Sequence, residues 1–218
     1  MTTTAPAHHS ATAPDDGGGH QGGAVGAGRA FAWTLILAGA AGLIAAWAIS
    51  VDEYKLLTAK IAGETFTPGC SLNPIVSCGS VMQSDQATVF GPPNPFIGLW
   101  AYAIVLGVGV SLLTGARFHR WYWLTFNAGC LGGIVFVSWL QYQSIYNINA
   151  LCLWCCLAWV GTIVAFWYVT GYNIKQGFLP APARVRSLIE EFHWVVPVLH
   201  VGVIGLLILT HFWYFWSK

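Results

Sequence analysis

From Trp121 to Asn173 the chain carries no Asp, Glu, Lys or Arg. An uncharged stretch of that length, dense in Trp, Phe, Leu, Val and Ile, is long enough for two helices that each cross a ~30 Å hydrocarbon core. Inside hydrocarbon, backbone N–H and C=O groups must be satisfied within the segment, so the spans are helical. The polar group Gln141, Gln143, Ser144, Asn147 and Asn149 marks the turn between them, giving spans of about 121–143 and 150–172. The whole chain agrees: only 8% of its residues are charged, against roughly 25% in soluble domains. With 56% hydrophobic residues there is too little polar surface for a soluble globule. The expected class is an all-α integral membrane protein.

Three further spans flank this pair. Arg29 precedes an uncharged run over about 30–51, a second lies at about 96–116, and a fifth at about 194–217. Ala46-Trp47-Ala48 imitates a signal-peptidase site, but the polar leader is too long and the apolar run too extended for a cleaved signal, so a retained first helix is expected. Residues 1–28 are Ala, Gly, Thr, His and Pro with two aspartates, a composition that buries nothing and predicts a disordered tail. His8, His9 and His20 belong to that solvated tail. The remaining 29–218 form one membrane domain. Residues 52–95 make the long polar loop, punctuated by Gly and Pro; loops of that length usually carry a function. Gly129 and Gly133 have the spacing of small residues that let helices approach closely. His200 and His211, on a peripheral helix, read as packing or interfacial groups.

Orientation follows from the basic residues alone. Five spans divide them into Arg29, Arg117, Arg120, Lys175, Arg184 and Arg186 on one side and Lys55, Lys60 and Lys218 on the other. The positive-inside rule therefore puts the amino terminus in the cytoplasm. Net charge is +1, and nothing points to nucleic acid. The 52–95 loop and the start of the fourth span then share the outer face, in a compartment where disulfides persist.

That placement gathers four of the six cysteines: Cys70 and Cys78 in the loop, Cys152 and Cys155 at the fourth span. Two cysteines three positions apart on a helix share a face, so they can open and close a disulfide. At a helix start the first sulfur also feels the unpaired N–H groups, which favours thiolate. Four cysteines can also hold zinc. The gap between Cys70 and Cys78 exceeds the two to four residues usual in structural zinc sites, and no metal is assigned. The other reading is a relay in which the loop pair takes electrons from a soluble thiol protein and passes them to the helix pair by exchange. No haem, dinucleotide or iron–sulfur motif is present to accept them. A lipid-soluble quinone between the helices meets the requirement. Cys130 reads as a small buried hydrophobe, and Cys156, about 100° around the helix from Cys155, as packing.

Over about Ala30 to Tyr172 the residues resemble the vitamin K epoxide reductase family in its bacterial form, functionally similar to DsbB. The resemblance rests on the Cys70–Cys78 spacing, Ser84 six residues further on, Asn94-Pro95-Phe96-Ile97-Gly98 at the second span, and Cys152-Leu153-Trp154-Cys155. It implies a four-helix bundle around a quinone of the menaquinone or ubiquinone class, with a fifth peripheral transmembrane helix. Cys70 and Cys78 look like the shuttle pair, and Cys152 and Cys155 like the active-site pair, with Cys155 beside the quinone. Cys78 would form the transient disulfide with Cys152. Asn94 resembles the asparagine that hydrogen-bonds a quinone carbonyl, and Ser84 a loop-stabilising hydroxyl. Trp159 stands where the vertebrate enzymes use a tyrosine. Some relatives carry a fused thioredoxin-like domain; this chain stops at Lys218, so the expected donor is a separate DsbA-like thioredoxin-fold envelope protein. The expected activity is quinone-dependent thiol oxidation at the inner membrane, driving disulfide formation in exported proteins. Reduction of quinone or its epoxide as the main task, or a membrane protein whose disulfides are only structural, are the alternatives.

Overall fold

The computed structural model describes residues 24–216. The expectations for residues 1–23, including His8, His9 and His20, and for Lys218 lie outside that range. The described residues contain helices and two isolated β-bridges, with no strand ladder. Four helices are long and apolar enough to cross a membrane: α1 (Arg29–Ala62), α3 (Asn94–Leu113), α4 (Arg120–Tyr142, running on to Ile148) and α5 (Leu153–Lys175). Between the first two lies the short α2 (Cys78–Met82), and after them come α6 (Ala183–Phe192), α7 (Val195–His211) and α8 (Trp213–Trp216). The chain is an all-α, multi-pass membrane protein.

The bundle is built on α1. It packs against α3 and α5, α5 packs against α4, and α3 and α4 hardly touch. Close approach depends on glycines that face the backbone or a ring of a neighbouring helix. A Cβ on Gly161 would stand 2.8 Å from Ala38 O, and one on Gly42 would stand 2.2 Å from the Tyr102 ring. Any side chain there would force the helices apart. Gly129 and Gly133, expected to serve this role, do not: a Cβ on Gly129 meets nothing within 4 Å, and one on Gly133 makes only ordinary contact with Thr162. Both line a cavity instead. The outward faces carry Trp33, Leu37, Ile44, Trp100 and Val135, all exposed, as a lipid-facing surface requires.

At the end of the bundle where α1 starts, Trp123 is fully buried among Ala32, Leu35, Val169 and Tyr172. Val25 and Phe118 exchange backbone hydrogen bonds at 2.9 and 3.2 Å, and the Tyr172 hydroxyl donates to Gly26 O at 3.1 Å. Residues 25 and 26 are therefore tied to the bundle although their composition resembles the tail. At the other end α1 continues past the apolar run. Its 34 residues span ~51 Å at 1.5 Å each, well beyond a ~30 Å core. The segment from Asp52 to Ala62 is thus a helical mast, ended by Gly63 at φ 72.

α7, with 17 residues, packs on α5 through Trp167 Nε1, which donates to His200 Nδ1 at 3.0 Å. His211 Nε2 lies 2.9 Å from Asn149 Oδ1, and Phe212 is buried with Leu151 and Trp159. His200 thus ties α7 to α5, and His211 at its end meets the turn before α5.

Candidate functional site

The segment after the mast folds by local polar contacts. Asn73 Oδ1 accepts from the N–H groups of Ile75 and Val76 at 3.0 and 2.7 Å, closing an Asx turn. Ser77 caps α2 by accepting from Ser80 N–H at 3.3 Å. Ser71 Oγ accepts from Gly79 N–H at 3.2 Å. A disulfide joins Cys70 and Cys78 across this turn.

On the facing side α4 runs into a π-helical turn, Gln143–Ile148. Its end is closed by Asn149 at φ 54 and by Ser144 Oγ donating to Ala150 O. The polar cluster read as an open turn is therefore partly interior: Gln141 and Ser144 are both buried. Leu151 then pairs with Val76 in a parallel bridge. Leu151 N–H donates to Ile75 O at 2.7 Å, and Ser77 N–H donates to Leu151 O at 2.9 Å. Ser77 immediately precedes Cys78 and Leu151 immediately precedes Cys152, so the bridge sets Cys78 beside Cys152. The sulfurs of Cys70, Cys78 and Cys152 all lie within 4.8 Å of one another. Two of the three are in the disulfide and so are not free to ligate a metal.

Cys152 is the N-cap of α5, and its sulfur accepts from Cys155 N–H at 3.4 Å. The Cys155 thiol hydrogen-bonded to it, helped by the backbone N–H groups of Cys155 and Trp154, lowers the Cys152 thiol from its ordinary value against the effect of burial. A sulfur held this way favours the reactive thiolate.

The two cysteine pairs face different spaces. Cys70 lines an outer groove with Trp47, Asp52, Leu153 and Trp154, whereas Cys78 and Cys152 are fully buried. Cys155 lines a cavity of about 530 Å³ between α1, α3, α4 and α5, roofed by α2 and the 3-10 turn Asp85–Thr88. Asn94, Ser84 and Trp159 line the same cavity. Asn94 Nδ2 donates to Gln86 O at 2.7 Å, while its Oδ1 is buried with no hydrogen-bond partner. Ser84 Oγ donates to Val81 O at 2.7 Å, tying the roof. The remaining wall is mostly apolar, including Ile97, Val105, Phe136 and Val137.

Several cavity residues escape a reading of the sequence. Tyr102 is held by its hydroxyl to Ala158 O at 2.8 Å and to Thr162 Oγ1 at 2.7 Å. Glu53 reaches the cavity from the mast. The signal for Glu53 is the spacing 46, 49, 53, which is one helical face, but it becomes visible only once α1 is known to continue past Val51.

Residues 33–170 match the model of the Vitamin K epoxide reductase family. No curated protein matches the chain. The matched segment contains all four cysteines of the site together with Asn94, Ser84 and Trp159.

Proposed function

Since this chain belongs to the vitamin K epoxide reductase family, and is thus a membrane thiol oxidoreductase, we propose that it oxidises a DsbA-like thioredoxin-fold partner at the expense of a quinone. Its role is then to drive disulfide formation in exported proteins from the inner membrane. One observation carries the reading: three sulfurs meet within 4.8 Å, and the fourth, Cys155, opens onto an apolar cavity.

Thiol–disulfide exchange needs a thiolate, an accessible disulfide sulfur and a leaving sulfur. Cys70, 8% exposed and lining the outer groove, is the less buried sulfur of the loop disulfide and the one a partner would reach. A partner thiolate attacks Cys70 and expels Cys78 as thiolate; the partner's second thiol then displaces Cys70 and leaves with the new disulfide. Cys152 and Cys155 are free thiols in this structure; once they are oxidised to a disulfide, Cys78, beside Cys152, attacks Cys152 and expels Cys155 as thiolate into the cavity. Cys70 then attacks Cys78 and expels Cys152, so the loop disulfide re-forms and Cys152 and Cys155 are both left reduced, as thiolates. The lowered Cys152 thiol suits both roles, since a good leaving sulfur is also one that is thiolate when needed.

The cavity suits a quinone by its apolar wall and by the orphaned Asn94 Oδ1, which can accept from a hydroxyl. Asn94 and Trp159 would hold the ring, and Ser84 would keep the roof closed. A quinone there supplies a two-electron, two-proton acceptor. Membrane relays of this kind keep bacterial envelopes oxidising.

Quinol formation by purified protein supplied with a reduced thioredoxin-fold donor tests the reading. Cys155→Ala should abolish it while allowing a Cys78–Cys152 adduct to be trapped by alkylation and mass spectrometry. Turnover retained in Cys155→Ala, or no such adduct under any redox condition, would overturn the proposal.

A further inference from the structure

The relay above moves electrons by exchanging sulfur partners, but it leaves the protons behind. Each partner thiol that reacts as thiolate releases its proton at the outer groove. The relay expels Cys155 and then Cys152 as thiolates, so the closing reaction is two thiolates, one quinone and two protons giving one disulfide and one quinol, with one S–S bond and two O–H bonds formed. Two protons must therefore reach the cavity along a route of their own.

The described cavity wall offers few groups able to carry them. Asn94 and Gln86 are amides and do not ionise. The Ser84 hydroxyl is donated to Val81 O, and the Tyr102 hydroxyl is locked between Thr162 and Ala158. Tyr122 lies at the opposite end, in the first turn of α4, and Cys130 lies between the two ends of that helix. Glu53 is the one Asp, Glu, Lys, Arg or His among the described lining residues. It is half-buried and lies two turns beyond Ala46 and one beyond Ile49 on the cavity face of α1, toward the end of the cavity that α2 roofs.

We propose that Glu53 is the proton carrier of this site, taking protons from water at the outer mouth and delivering them to the acceptor in the cavity. This rests on the quinone-reductase reading and assigns a new group to it. Its neighbours favour exchange of a proton rather than a fixed charge pair. Asp52 faces the outer groove, Lys55 lies over the Phe66 ring, and Asp85 sits between the roof residues Ser84 and Gln86. From the other walls the titratable groups are Tyr102, Tyr122, Cys130 and Cys155. Among the described lining residues no Lys, Arg or His stands to hold Glu53 as carboxylate.

The test compares full-length native protein with Glu53→Gln and Glu53→Asp, supplied with a reduced thioredoxin-fold donor and a short-chain quinone. Glu53→Gln should trap the Cys78–Cys152 adduct as native protein does, yet form quinol about a hundredfold more slowly, the scale of positioned acid–base catalysis. It should also lose the limb on which native turnover falls as pH rises through the Glu53 carboxyl's titration, since the donating form is the protonated one, and Glu53→Asp should restore part of the rate. The infrared difference spectrum between dithiol-treated and oxidised protein should show a carboxyl band that shifts in D2O and is missing in Glu53→Gln. Native turnover with an unchanged pH profile in Glu53→Gln, or persistence of that band, would overturn the assignment. Normal adduct formation with no quinol from the native protein would instead bring down the quinone reading, and this proposal with it.

Discussion

At the scale of single residues, the chemistry rests on how unequal Cys152 and Cys155 are made by their positions. Cys152, at the N-cap, collects hydrogen bonds from the Cys155 thiol and from backbone N–H groups, which lower its pKa. Cys155, one turn deeper, has the cavity in front of it. A depressed thiol pKa means that thiolate persists to lower pH, so reactivity fades only as pH falls through the lowered value. In protein carrying Cys130→Ala and Cys156→Ala, alkylation of Cys152 should therefore reach half its limiting rate below the ~8.5 of an ordinary thiol. Adding Cys155→Ala removes the leading cause, and the midpoint should rise. Mass-spectrometric quantitation of labelled Cys152 across pH reads both. A midpoint unmoved by Cys155→Ala would mean that the N-cap geometry acts alone.

At the scale of elements, residue types spaced identically in the sequence diverge according to what stands opposite them. Gly129 and Gly161 are both glycines in the middle of apolar helices, and nothing local distinguishes them. Gly161 has the backbone of α1 against it, whereas Gly129 faces open cavity. Gly161→Val should thus wedge α1 from α5 and cost about 3 kcal/mol, the upper part of the range for overpacking, read as a lowered Tm in detergent. Gly129→Ala should leave Tm unchanged. Equal effects in the two would mean that the α1–α5 seam is not the close-packed one. The same dependence on partners explains what the sequence could and could not reveal. Apolar runs announce helices by length, and a C-x-x-C pair announces redox chemistry by spacing. The Val76–Leu151 bridge that brings Cys78 to Cys152 involves two ordinary aliphatic residues, and its hydrogen bonds belong to the backbone. The π-helical turn likewise has no residue type of its own. Glu53 is hidden in the sequence because charge ordinarily marks the end of an apolar span, whereas α1 continues for three further turns.

At the scale of the whole molecule, the proposed relay requires both cysteine pairs to share one side of the membrane and that side to be oxidising. The fold supplies the first condition through the mast, the roof and the π-helical turn, which all stand at the end of the bundle opposite Gly115 and Phe118. The second condition is argued from charge. Arg29, Arg117, Arg120, Lys175, Arg184 and Arg186 sit at the end where α1 begins, where α3 gives way to α4, and in the connection from α5 to α7. An excess of Arg and Lys at one end marks the cytoplasmic face. Leu72, in the roof loop and 68% exposed, should therefore look outward, and Gly115, in the turn between α3 and α4, inward. Single reporter cysteines at the two positions, Leu72→Cys and Gly115→Cys, each read by mass spectrometry, separate the cases in intact cells. A membrane-impermeant maleimide should label the first directly and the second only after permeabilisation. The opposite pattern would put the Cys70–Cys78 and Cys152–Cys155 pairs in the reducing cytosol, where a relay built to export disulfides has no work to do.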